Sequence, residues 1–148
     1  MENWKTELDE HFKEKKQAEK ELEDKKQGLH KSAKRFMKKT ALPAFEELAE
    51  ELARHKRKTA IDQKKDRIAL MVRHNKKKEF VYEISLSQEG EHLTASRGAY
   101  LPNEKGKLKL GIEGKIHTSS NFAQVEKMES ADIIADFLQT YKQTTHSR

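Results

Sequence analysis

Cysteine is absent from this chain. Disulfides, thiolate nucleophiles and cysteine-ligated metals are therefore excluded together, and folding must rest on packing. Glycine occurs only six times, and Gly106, Gly111 and Gly114 are spaced for neither GxGxxG nor GxxxxGK[ST], so no phosphate cradle is encoded. A GxSxG nucleophile elbow is also missing. No apolar run approaches the roughly 18–20 residues of a membrane span. The opening Met1, Glu2, Asn3, Trp4 shows no signal-peptide pattern, so the expectation is a soluble, cytoplasmic protein.

Apolar residues are scarce as well, at 34%, whereas charged residues make up 38%. Typical globular chains have roughly 45–50% and about 25%, so part of the chain must lie outside a packed core. The formal charge of +6 arises from 31 basic and 25 acidic groups. Residues 1–40 hold twelve basic and nine acidic groups, 41–58 four and four, and 59–148 fifteen and twelve. No stretch concentrates positive charge along the sequence, whereas a dedicated nucleic-acid binder more often shows a basic block or stripe.

What the chain does have is clearest at residues 38–58. Leu42, Phe45, Leu48, Ala49, Leu52 and Ala53 recur at three- and four-residue intervals, which sets them along one helical stripe. Glu46 and Glu47 come early and Arg54, His55, Lys56 and Arg57 late, the order that the helix macrodipole favours. Pro43 would remove a hydrogen bond and clash inside a helix. Either Thr40 caps a new helix with Pro43 in its first turn, or one long helix kinks at Pro43. The apolar stripe Leu29, Ala33, Phe36, Met37 runs in phase into Ala41, Phe45, Leu48 and Leu52, which favours the kinked or closely joined form.

Residues 2–27 contain neither glycine nor proline and are mostly good helix formers. Pairs such as Glu10 with Lys13 and Glu21 with Lys25 add only about 0.2–0.5 kcal/mol each. The apolar stripe is thin, comprising Trp4, Leu8, Phe12, Ala18, Leu22 and Leu29. As heptads, Leu8, Leu22, Leu29 and Phe36 share a seam position that Lys15 interrupts, and His11 and Lys25 occupy the other, a weak coiled-coil pattern. Gly28 is its weak point.

Beyond Lys58 the period changes to two. Strands are expected at 59–62, 68–73, 79–86, 92–100 and 107–112, with short connections that imply antiparallel hairpins. Residues 114–128 read either as a sixth strand or as irregular chain. Ser130 is a plausible N-cap, with Asp132 in the first turn, for a helix carrying Ile133, Ile134, Phe137, Leu138 and Tyr141.

Seven histidines are scattered without metal-ligand spacing; His74 and His92 lie on neighbouring expected strands. The pairs Glu46, Glu47 and Glu50, Glu51 sit among basic neighbours and read as solvated. Neither catalytic residues nor a metal or cofactor site is expected. The turn and strand lysines are ordinary solubility and edge protection, but Lys56, Arg57, Lys58, Lys76, Lys77, Lys78, Lys107 and Lys109 are candidate anion contacts if alternate hairpin ends converge. Trp4, Leu8, Phe12, Leu22 and Leu29 are the candidate partner-binding residues, because a charged solitary helix gains nothing from carrying tryptophan.

The expected architecture is α+β: a helical arm over 1–39, then a domain over 40–143 with an amphipathic helix at 42–57, an antiparallel β-meander of five or six strands over about 59–116, and a C-terminal helix at 131–142 packed on the sheet. Residues 144–148 are a frayed tail. The leading functional expectation is a non-enzymatic interaction module that dimerises or docks a protein partner through the arm. The alternatives are electrostatic nucleic-acid binding and a small apolar-ligand site under the sheet. No membrane partner is expected.

Overall fold

The computed structural model describes residues 3–89, 92–116 and 125–146. Its elements are helix α1 (Asn3–Phe36), a π-helical turn (Met37–Ala41), helix α2 (Leu42–Arg54), strands β1 (Lys58–Gln63), β2 (Arg67–His74), β3 (Lys77–Glu89), β4 (His92–Pro102) and β5 (Leu108–Lys115), a 3₁₀ turn (Val125–Lys127) and helix α3 (Ser130–His146). The strands form one antiparallel sheet in the order β1-β2-β3-β4-β5. This is the expected α+β meander, with a long N-terminal helix and a C-terminal helix packed on the sheet. Five strands form among the described residues. Ile116 follows β5 as a buried residue outside any strand, and residues 117–124, where a sixth was considered, lie outside the described residues.

One face of the sheet is covered. Ile68, Leu70 and Val72 of β2 alternate inward with Phe80, Tyr82, Ile84 and Leu86 of β3, and all are buried. Phe45 and Leu48 of α2 and Ile133 and Phe137 of α3 close over them. The rings interlock edge to face: Phe45 with Tyr82 at 5.9 Å, Phe80 with Phe137 at 5.8 Å and Tyr82 with Phe137 at 5.3 Å between centroids. Such contacts add about 0.5–1.5 kcal/mol per pair beyond area burial.

The proline is accommodated without a break. Residues 3–54 form one continuous helical run, and the wide turn at Met37–Ala41 absorbs Pro43. Leu42 N–H bonds to the Met37 carbonyl, five residues back, so the ladder is already shifted where Pro43 has no N–H to give. Thr40 therefore starts no new helix. Phe36, Met37, Ala41 and Ala44 are buried at this junction, and Leu29 and Ala33 pack beside them, so the core reaches back along α1 to Leu29.

Three helix ends differ from expectation. α2 stops at Arg54 rather than 57, because Lys56 adopts φ 63 and the chain closes with Lys56 N–H to the Ala53 carbonyl and Arg57 N–H to the Leu52 carbonyl. This is a Schellman ending with lysine at the left-handed position where glycine is usual. At α3 the cap is Glu129: its N–H donates to Asp132 Oδ2 at 2.8 Å, while Ser130 Oγ donates to the Thr40 carbonyl and ties α3 to the π-turn. The helix also runs on to His146, because Thr144 is buried and its hydroxyl donates to the Thr140 carbonyl.

Candidate functional site

The arm is the first candidate. Residues 3–28 of α1 are exposed throughout, a span of about 39 Å at roughly 1.5 Å per residue. Along it Trp4 is 59%, Leu8 48%, Phe12 57% and Leu22 65% exposed. Leu29 differs from these four: it packs against the chain's own core and is not part of the free surface. The ridge is local as well as exposed, since Trp4, Leu8 and Phe12 fall one above another at four-residue spacing.

The second candidate is the end of the sheet where α2 stops. β1 begins at Lys58, which pairs with Arg73; Arg73 pairs with Lys78, and His74 with Lys77 across the β2–β3 turn. The β4–β5 turn arrives at the same end, held by Asn103 Oδ1, which accepts from the backbone N–H of Lys105 and Lys107 at 2.9 Å each. Two clefts flank the β2–β3 turn. One of about 330 Å³ is lined by Lys56, Lys58, Arg73, Asn75 and Lys76. The other, about 630 Å³, lies between His74, Lys77, Lys78 and Glu79 on one side and residues 102–106 on the other. The structure thus gathers Lys56, Lys58, Lys76, Lys77 and Lys78, adds Arg73 and Lys105, and leaves Lys109 within β5. Arg57 is committed elsewhere, to Glu79 at 3.4 Å.

Glu79 is itself the product of a bulge. Val72 pairs with Phe80 but Arg73 with Lys78, so Glu79 is the extra residue and turns toward the helices beside Phe80. There Tyr141 Oη donates to Glu79 Oε1, and His74 Nδ1 lies 3.8 Å from Oε2. Burial, followed by the bond to Glu79, pushes the Tyr141 hydroxyl up to about 12. Desolvation works to lower the Arg57 guanidinium, but the hydrogen bond and charge of Glu79 outweigh it and the net shift is upward.

A separate polar cluster crosses the core. Tyr82 Oη donates to Asp136 Oδ2 at 2.5 Å, Arg97 Nε lies 3.3 Å from the same oxygen, and Nε donates to Thr140 Oγ1 at 3.0 Å. Burial, then the adjacent Asp136 charge, raises the Tyr82 hydroxyl well above its ordinary value. The cluster joins β3, β4 and α3.

The remaining candidates do not assemble. His74 and His92 sit at opposite ends of β3, paired with Lys77 and Glu89, about 40 Å apart at roughly 3.3 Å per residue. Glu46, Glu47, Glu50 and Glu51 are exposed on α2. Among the described residues no group of three His, Cys, Asp or Glu could hold a metal, and no helix is long and apolar enough to cross a membrane.

The fold and these surfaces define an α+β domain with a projecting helix, and the comparisons add no relative to it. No family model matches the chain, and neither a curated protein nor a solved structure is similar to it.

Proposed function

We propose that the protein is a non-enzymatic interaction module whose helical arm pairs with the arm of a second copy. The observation that carries this reading is the exposure of Trp4, Leu8, Phe12 and Leu22 on a helix whose residues 3–28 are all exposed. Burying a large apolar side chain contributes about 1.5–3 kcal/mol. With these side chains about half exposed, three or four per chain, doubled by symmetry, contribute on the order of 5–12 kcal/mol, comparable with the cost of association, which is on the order of 4–15 kcal/mol. Charge favours an antiparallel pairing. Residues 3–14 carry four acidic and two basic groups, and residues 29–39 carry five basic groups and no acidic one.

Trp4 is the single tryptophan of the chain, so it reports on the arm alone. Light scattering on the full chain should give a dimer, with the tryptophan emission moving to the blue as concentration rises. Leu8→Glu with Phe12→Glu, and a chain starting at Leu29, should both be monomeric with the domain's melting temperature essentially kept. A full-length chain that is monomeric, and stays so on truncation, sinks the reading.

A further inference from the structure

Positive charge is dispersed along the sequence but not in space. The three segments that meet at the α2 end of the sheet, 55–58, 73–79 and 102–107, hold nine lysines and arginines against two glutamates. That excess of seven exceeds the +6 of the whole chain, so the rest of the molecule is close to neutral. Both glutamates, Glu79 and Glu104, line the wider cleft, and Glu79 is occupied there by Tyr141 and Arg57.

The backbone supplies a second, independent sign. Among the described residues the non-glycine positions with positive φ are Lys56 at 63°, Asn75 at 54° and Lys76 at 67°, and all three line the same 330 Å³ cleft. Asn75 and Lys76 are the two central residues of the β2–β3 hairpin, whose mirror-image turn takes Asn followed by Gly most readily. Lys56 fills the helix-ending position that glycine also favours. Two unrelated turns therefore each hold a lysine where glycine is the less strained residue, and both ammonium groups are delivered to one place. Strain of this kind collects where a function requires it.

We propose that this end of the sheet binds the phosphate backbone of a nucleic-acid duplex without reading its sequence. Clefts on both sides of the β2–β3 turn, each lined by cations, suit a ridge that sits in a groove with phosphates on either flank. Among the described residues no Phe, Tyr or Trp lines either cleft, so these residues offer no platform for stacking unpaired bases. Neither the turn at Asn75 and Lys76 nor the turn at 103–106 carries an aromatic or aliphatic side chain that could enter a bilayer.

The test uses the full chain and fluorescently labelled random-sequence 20-base-pair DNA and RNA duplexes, followed by anisotropy from about 50 to 200 mM salt. With roughly four phosphates engaged, the log–log slope should be near −3.6, a loss of affinity on the order of a hundredfold over that range. Lys56→Gly with Lys76→Gly removes two contacts while relieving two left-handed lysines. It should flatten the slope by about two and leave the melting temperature no lower than the parent's, so that weaker binding cannot be ascribed to misfolding. Lys64→Gln with Lys65→Gln removes the same charge at the opposite end of the sheet and should leave the slope unchanged. The proposal is overturned by no duplex binding at about 50 mM salt, by equal losses in the two double variants, by a preference for single strands, or by binding only to phosphatidylserine vesicles.

Discussion

Replacing Asp136 with asparagine should be among the most damaging single changes in the domain. The carboxylate holds Tyr82 Oη at 2.5 Å and Arg97 Nε at 3.3 Å, and its side chain is only 10% exposed, that of Arg97 17%. Removing one member of a buried ion pair costs about 3–5 kcal/mol, because the other charge stays buried without its counter-ion. The residual solvent contact of Arg97, and an asparagine oxygen still able to accept from Tyr82, reduce this to about 2–4 kcal/mol. At roughly 3 °C per kcal/mol for a chain of this size, the melting temperature should fall by about 6–12 °C. Urea unfolding followed by circular dichroism would measure the loss, with an unchanged m-value expected. The companion variants are Arg97→Met and the Asp136→Asn, Arg97→Met pair. If the charge interaction is the cause, the pair should be less destabilised than the sum of the singles by at least about 1 kcal/mol. A loss under about 1 kcal/mol for Asp136→Asn, or strict additivity, would refute the reasoning.

Two further perturbations test other parts of the structure. All three tyrosines have raised pKa values: Tyr82 through burial and then Asp136, Tyr100 through burial and then Glu83, and Tyr141 through burial and then Glu79. Since the folded hydroxyls hold their protons more tightly than the unfolded ones, their contribution to stability is complete below pH 10. It is lost as pH rises from about 10 toward 12. Absorbance near 295 nm should show the native protein largely un-ionised at pH 10, and denaturation midpoints should drop steeply above it; half-ionisation at pH 10 in the native state would contradict this. Gly114→Ala should destabilise by about 1–2 kcal/mol, because its Cβ would lie 2.8 Å from Arg97 Nη1, and Arg97 is held by Asp136 and Thr140. The cost should largely vanish in an Arg97→Met background, as read by thermal melts.

Much of the fold is visible in the pattern of single residues. Leu42, Phe45, Leu48 and Leu52 mark α2 by spacing alone, and Phe80, Tyr82, Ile84 and Leu86 mark β3 because, Val81 apart, the positions between and after them are the polar Glu83, Ser85 and Ser87. The features that escape such a reading break a local rule for a non-local reason. Glu79 continues the alternation of β3 in sequence, yet the bulge against Val72 and Arg73 turns it inward. Arg97 looks like an ordinary strand arginine until β4 is paired in register with β3. It then falls opposite Ile84 on the covered face, between Ala95 and Ala99. The signal that was available is Tyr82: a tyrosine in a core stripe needs a partner for its hydroxyl, and Asp136 lies within one turn of Ile133 and Ile134 on the C-terminal helix expected to cover the sheet. The basic end was invisible for a simpler reason. Its charges come from three segments, each unremarkable when counted along the chain, and only the hairpin register brings them together.

The contact at Leu29 has a mechanical meaning. It is the last point at which the helix packs on the core, and Trp4 lies 25 residues beyond it, about 38 Å away at roughly 1.5 Å per residue. The molecule is therefore a lever with its fulcrum at Leu29. A tilt of about ten degrees there would carry Trp4 through roughly 6.5 Å, more than the rise of one helical turn. Whatever grips the far end of the arm thus samples small adjustments of the junction at several-fold magnification, and the domain at the near end is held at a standoff that the helix length alone sets.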